Sequence, residues 1–308
     1  MTGQGADTTG RERFRRALAG DRVAPPAIGL SFAEPRLLNG DGATLDPAGS
    51  LAATCRREHL DFAFVPAHEP WAERAVSLLA GSGVAGAWVV DGVLWPTLGE
   101  RGPARGLREV AGSANELGPA LDRALGRALE EAGRGLDAGA AALVVADDMA
   151  GGSGPLVGPA FLSQHVFPRL ARVAEAARRA GVPAILHCDG DARLLMEAAA
   201  EAGFAAIHGD AGGAGGLEDG FAAARAAGLG FIGGVPTAEL SGEAGPLPAR
   251  WRAGALANDS GLLLADDGGI TTADEMAVLL AILRASRAVD APLTARRLGR
   301  ARPLYSPA

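Results

Sequence analysis

The sequence predicts a parallel α/β fold closed into a (β/α)8 TIM barrel. Three observations predict it. Short apolar runs alternate with longer amphipathic segments, eight such runs can be counted, and polar residues able to do chemistry collect at one end of them.

The eight candidate strands are Ala27 to Phe32, Asp61 to Pro66, Ala87 to Val90, Ala141 to Ala146, Pro183 to His187, Ala205 to His208, Gly230 to Val235 and Gly261 to Ala265. Most are continuously apolar, as expected of strands covered on both faces. Between them, Asn115 to Ala138 places Leu117, Leu121, Leu125 and Leu129 at four-residue spacing among arginines and glutamates. Pro159 to Ala180 sets Phe161, Val166, Leu170 and Val173 against Arg169, Arg172, Arg178 and Arg179, with Gly181 as its stop. Thr272 to Val289 closes the series on the outside. The same alternation also allows a doubly wound open sheet.

The chain has 308 residues, 48% of them hydrophobic, and one barrel takes roughly 250. The expected layout is therefore a polar tail over 1–10, one barrel domain over 11–295 and a basic, proline-containing tail over 296–308. Ser241 to Pro248 reads as a Gly/Pro loop. Net charge is −7 with no basic stripe, which argues against a nucleic-acid partner. Met1 to Gly5 has no apolar stretch, and no run approaches the roughly 20 residues of a membrane span. Two cysteines, Cys55 and Cys188, cannot build a disulfide framework. A cytoplasmic protein that binds a small molecule is expected. All 29 basic residues are arginine, so lysine Schiff-base and pyridoxal-phosphate chemistry are excluded, as is a phosphate loop that needs lysine. The glycine pattern Gly228 to Gly233 spans a strand instead of leading from one into a helix, and does not read as a dinucleotide site.

Active sites of such barrels lie at the C-terminal strand ends. Here those ends read His68-Glu69, Asp147-Asp148, His187-Cys188-Asp189-Gly190-Asp191, His208-Gly209-Asp210 and Asp266-Asp267. Strand alternation puts Ile185, His187 and Asp189 on one side, facing the barrel, and Leu186 and Cys188 on the other. His208 and Asp210 point together by the same rule. His187 with neighbouring carboxylates is suited to holding a divalent metal or to acid/base work. The catalytic candidates are His187, Asp189, Asp148, His208 and Asp210. The substrate-binding candidates are His68, Asp147 and Asp267, and the metal candidates are His187 and Asp189. Asp191 is also a natural N-cap, Cys188 a small buried residue, and the Asp-Gly pairs ordinary turn formers. His59 and His165 fall on helices, outside this set.

The block from Gly139 to His208 resembles the uroporphyrinogen decarboxylase superfamily, which includes corrinoid-linked methyltransferases. The residues carrying the resemblance are Ala146-Asp147-Asp148, Gly158-Pro159-Ala160-Phe161, Val182 to Gly190 and Ala202 to His208. Phe231 to Val235 and the opening stretch Arg11 to Val23 extend it. The resemblance implies a (β/α)8 barrel, often a dimer. It implies one-carbon (methyl) transfer, with a zinc-type metal site and a corrinoid methyl donor or corrinoid protein. Decarboxylation of a small or tetrapyrrole-type acid (a lyase) and non-catalytic small-molecule binding are the alternatives. The chain departs from the family at four places. Gly29 to Glu34 lacks the arginine motif that holds porphyrinogen carboxylates, and the family's aspartate after strand two falls at His68. The metal-ligand position after His187 holds Asp189, and the late cysteine position falls near Gly268. Replacing thiolate by carboxylate weakens a zinc site built to activate thiols.

Overall fold

A computed structural model of the chain describes residues 8–38, 46–112, 117–209, 216–240 and 261–287. Eight strands form it: β1 Ala27–Leu30, β2 Phe62–Pro66, β3 Ala85–Asp91, β4 Ala142–Ala146, β5 Ala184–His187, β6 Ala206–His208, β7 Gly230–Val235 and β8 Leu262–Asp266. Each lies parallel to its sequence neighbours, and β8 pairs with β1 through Ala27 and Leu263, so the sheet closes. Closure excludes the open-sheet alternative. The predicted tails, the 241–248 loop and Asp210 lie outside the described residues, apart from Thr8, Thr9 and Gly10 of the first tail.

The pleat divides the core in two. Phe62, Phe64, Ala142, Val144, Ile185 and Ile232 fill the barrel. Leu143, Val145, Leu186 and Cys188 turn outward under the helices. The interior closes because two phenylalanines on β2 face alanines on β3, β4 and β6. Each buried phenylalanine contributes about 1.5–3 kcal/mol of transfer free energy, and the small partners leave the volume those rings need.

The helices are α1 Gly10–Leu18, α2 Pro47–Arg57, α3 Ala72–Gly81, α4 Leu94–Arg101, α5 Pro103–Gly112, α6 Gly118–Asp137, α7 Pro159–Phe161, α8 Phe167–Arg179, α9 Met196–Glu201, α10 Gly216–Ala226, α11 Thr237–Leu240 and α12 Ala273–Arg287. The helix expected over 159–180 is broken into α7 and α8 by a π-helical turn, Leu162–Val166. Pro168 supplies the reason, since it has no N–H to return to the preceding turn. α1 starts on the Thr9 side chain, which accepts from the Glu12 N–H at 3.3 Å. At the N-terminal face of the barrel, Asp61 joins both ends of the described fold. It takes Arg13 of α1 at 3.1 Å, Arg287 of α12 at 2.7 Å and the Ile28 N–H at 2.9 Å. Among the described residues no helix is long and apolar enough to cross a membrane.

Candidate active site

The strand ends converge as the sequence analysis expected, but the acidic residues separate into two kinds. β5 and β6 run in register with His187 opposite His208, so both imidazoles enter the barrel mouth side by side. Their Nδ1 atoms lie 2.8 Å apart. His208 Nε2 reaches the main-chain carbonyl of Asp266 at 3.0 Å. Phe32 covers His187 at 4.7 Å between ring centroids, and Phe64 packs on His208 at 4.9 Å. Gly209 makes this approach possible. Its φ is +126°, and a Cβ there would stand 2.5 Å from the Cys188 carbonyl oxygen.

His187 Nε2 points the other way, toward carboxylates. Asp189 Oδ1 is 3.6 Å from it and Asp148 Oδ1 3.9 Å. Ligand atoms of Asp148, His187 and Asp189 all fall within 4.8 Å of one another. His187 is buried, Asp148 half-buried and Asp189 exposed, so the group opens outward from the barrel. Burial pushes both imidazoles toward the neutral form. For His187 the Asp148 charge opposes that shift, and for His208 the neighbouring His187 adds to it.

Main-chain bonds hold this arrangement. The Asp189 N–H donates to Asp148 Oδ1 at 3.1 Å, and the Asp147 N–H to the His187 carbonyl at 3.0 Å. The Met149 N–H donates to Cys188 Sγ at 3.3 Å. Beyond Asp148 the chain folds into a short hairpin, Ala150–Gly151 against Gly154–Pro155. The Asp191 N–H binds its Gly151 carbonyl at 2.8 Å. Gly190, at φ +79°, lies so close to Gly151 that a Cβ would meet that carbonyl at 2.6 Å.

Three expected site residues serve elsewhere. Asp147 turns outward and is fully buried, where it accepts from the N–H groups of Val93, Leu94 and Trp95 at 2.8, 2.9 and 2.6 Å. It caps the entry to α4. Burial raises its carboxyl to about 6, against the pull of those three donors. Asp267 accepts from both the N–H and hydroxyl of Thr237 at 2.9 Å, and burial raises its pKa too. His68 is 76% exposed, beside Glu69 at 3.7 Å on the α6 side, and is not brought to the His187 cluster. Asp191 clamps Arg193 at 2.7 and 2.8 Å and accepts its N–H, as a capping residue would. Cys188 faces outward in the helix layer, and burial pushes its thiol up to about 12. His59 is exposed, and His165 stacks on Phe161 at 5.0 Å.

Two residues that the sequence analysis did not select turn out to shape the mouth. Asp266 takes the Ser31 N–H at 2.9 Å, the Phe32 N–H at 3.3 Å, the Gly269 N–H at 3.1 Å and the Ser31 hydroxyl. This bends the chain after β1 and brings Phe32 over the imidazoles. A break in alternation is invisible locally, because it depends on an acid 235 residues away in sequence. The split between Asp147 and Asp148 did carry a signal. Val144 faces inward and Val145 outward, so counting on by two sends Asp148 in and Asp147 out.

Residues 86–219 match the family model described as uroporphyrinogen decarboxylase (URO-D). No curated protein sequence matches the chain. Among solved structures, the chain is similar to a methyltransferase from Methanosarcina mazei, at 16% identity and a TM-score of 0.67, covering 90% of this chain and 98% of that one. It is also similar to a D-allulose 3-epimerase from Methylomonas sp., at 13% identity and a TM-score of 0.55, covering 86% of this chain and 96% of that one. At these identities the likeness to solved structures speaks for the fold. The family match spans residues 86–219, and the closed eight-stranded barrel is the fold that the resemblance to the uroporphyrinogen decarboxylase superfamily implies.

Proposed function

We propose that the chain is an enzyme of one-carbon (methyl) transfer, with a divalent cation held by Asp148, His187 and Asp189 at the barrel mouth. The observation that carries this reading is the convergence of an imidazole nitrogen and two carboxylates within 4.8 Å. The donor chemistry fits a cation. Ligands about 2.1 Å from a common ion stand roughly 3.0–3.5 Å apart, so the His–Asp separations of 3.6 and 3.9 Å need a small contraction and the set as a whole, within 4.8 Å, a larger one. A set of one nitrogen and two carboxylates suits a harder ion than a thiolate zinc site does. A bound divalent cation supplies Lewis-acid chemistry, stabilising the anionic form of the group that receives the one-carbon unit.

The chain's own residues do the rest. His187 fixes one ligand position because its ring is clamped between Phe32 and His208. Asp148 and Asp189 supply negative charge at the open side. Phe32 and Phe64 keep water from the imidazole pair. With Cys188 turned away and held as a thiol, the acceptor is proposed to be an oxygen or carboxylate function. The methyl donor is proposed to be a corrinoid, delivered by a corrinoid protein, in keeping with the superfamily's methyltransferase branch and the Methanosarcina mazei likeness. A homodimer belongs to the same proposal. For decarboxylation an arginine must hold the acid, and Arg193, the arginine nearest in sequence, is engaged by Asp191 and Asp219.

The test is metal analysis of purified protein after incubation with Mn, Fe, Co and Zn, followed by methyl transfer from methylcobalamin to a panel of oxygen and thiol acceptors. One equivalent of metal, lost in His187→Ala and Asp189→Ala, is expected. Wild-type protein that stays metal-free in every arm would overturn the metal reading.

A further inference from the structure

We propose that His208 is a positioning residue that, with the main-chain carbonyl of Asp266, fixes the tautomer of His187 so that its Nε2 offers a lone pair to Asp148 and Asp189. The functional meaning rests on the metal reading above, whereas the tautomer does not need a metal.

Hydrogen-bond bookkeeping through the pair leaves one solution. A peptide carbonyl only accepts, so His208 Nε2, 3.0 Å from the Asp266 oxygen, carries a hydrogen. A neutral imidazole has one N–H, so His208 Nδ1 is a bare acceptor. It lies 2.8 Å from His187 Nδ1, which must therefore be the donor. His187 Nδ1 then holds the hydrogen in either charge state, and in the neutral ring Nε2 is unprotonated. Placing the charge on His208 instead would bury an imidazolium with no water access, between His187 and the neutral main-chain carbonyl of Asp266.

The consequence lies at the open end. A bare nitrogen faces two carboxylate oxygens at 3.6 and 3.9 Å, acceptor against acceptors. Such converging lone pairs are stabilised by a cation between them. Metal-ligating histidines ordinarily donate their other N–H to a carboxylate, a carbonyl or water, which fixes ring and tautomer. Here a second imidazole takes that role and passes the hydrogen-bond direction on to the backbone of β8. The relay depends on register as well as chemistry. His187 and His208 are paired residues of adjacent parallel strands, and Gly209 removes the Cβ that would part them.

The experiment uses metal-free, 15N-histidine-labelled full-length protein and long-range proton–nitrogen NMR. In the wild type, His187 is expected to show a protonated Nδ1 and an unprotonated Nε2. In His208→Phe, the buried Nδ1 hydrogen loses its side-chain acceptor, so the Nε2–H tautomer is expected to grow in. Affinity for Co2+ alone should fall about 10–100-fold. In His208→Asn, whose side-chain oxygen can replace the Nδ1 acceptor, tautomer and affinity should be largely restored. A wild-type His187 carrying its hydrogen on Nε2 would overturn the inference, and so would a folded His208→Phe that keeps it on Nδ1. If the Phe variant does not fold, the wild-type spectrum alone decides. The expected tautomer in a protein that binds no Co2+ would uphold the relay and overturn the metal reading.

Discussion

Adjacent aspartates at the end of β4 have opposite fates because one carbonyl-to-carbonyl step turns the side chain over. Asp148 faces His187, while Asp147 is sealed beneath the start of α4 with three N–H donors. Burial lifts the Asp147 carboxyl to about 6, above its unfolded value. The fold thus favours its protonated form. The stabilisation is complete below the unfolded pKa, near pH 4, and is lost as pH rises through about 6. On the order of 3 kcal/mol is involved. Asp147→Asn does not titrate there. The stability of wild type minus that of the variant should therefore fall by up to about 3 kcal/mol from pH 4 to pH 6 and level off above. Urea denaturation of both proteins across that range measures it, and a difference that grows with pH would contradict the assignment.

Residue type alone selected His187, Asp148, Asp189 and His208, since imidazoles and acids at strand ends have few structural duties. It could not separate them from Asp147 and Asp267, whose duty is to hold the starts of α4 and α11, helices that come earlier in the chain. Capping needs the position of a neighbouring backbone, which in both cases comes from another part of the chain, 52–54 and 30 residues away.

At the scale of elements, the strands were legible nearly to the residue because buried parallel strands are unbroken apolar runs. The apolar run 183–187 became β5, Ala184–His187, and 230–235 became β7, Gly230–Val235. The helix over 159–180 was legible except for the π turn before Pro168. The pairing of β5 with β6, which sets His187 beside His208, was not, because inter-strand register is a property of two segments. The loop after β8 makes a further prediction. Gly268 occupies the region where the superfamily's late cysteine falls. A Cβ there would stand 3.6 Å from Thr237 Oγ1 and 3.9 Å from Asp189 Oδ1, in ordinary contact. Asp189→Cys with Gly268→Cys therefore adds two thiolates beside His187. Zinc affinity of the double variant should rise at least about tenfold over wild type, because zinc prefers thiolate to carboxylate ligands. Competition against a chromogenic zinc chelator measures this, and unchanged or weaker binding would show that the loop does not face the cluster.

Across the whole molecule, the acid–histidine group and the ion-pair tie sit at opposite faces of the barrel. The C-terminal face carries the acid–histidine group. The N-terminal face carries Asp61, which ties α1, β1 and α12 together. Asp61 is only 3% exposed, so removing its charge leaves two guanidinium groups without their partner. Asp61→Asn should lower unfolding free energy by about 3–5 kcal/mol without altering metal affinity of the folded protein. Chemical denaturation alongside Co2+ titration separates the two effects. An Asp61 variant as stable as wild type would show that α1 and α12 are held by other contacts. The count of eight runs favoured closure while leaving an open sheet possible, but the Arg13–Asp61–Arg287 tie was not legible, since Arg13 and Arg287 lie 274 positions apart.

The most direct measurement of the central claim is X-ray absorption of the Co2+-loaded protein. The account predicts a shell of nitrogen and oxygen near about 2.1 Å with the outer-shell signature of one imidazole, and no sulfur near about 2.3 Å. The imidazole signature should vanish in His187→Ala. A sulfur scatterer, or a spectrum indistinguishable from the hydrated ion, would contradict a cation held by Asp148, His187 and Asp189.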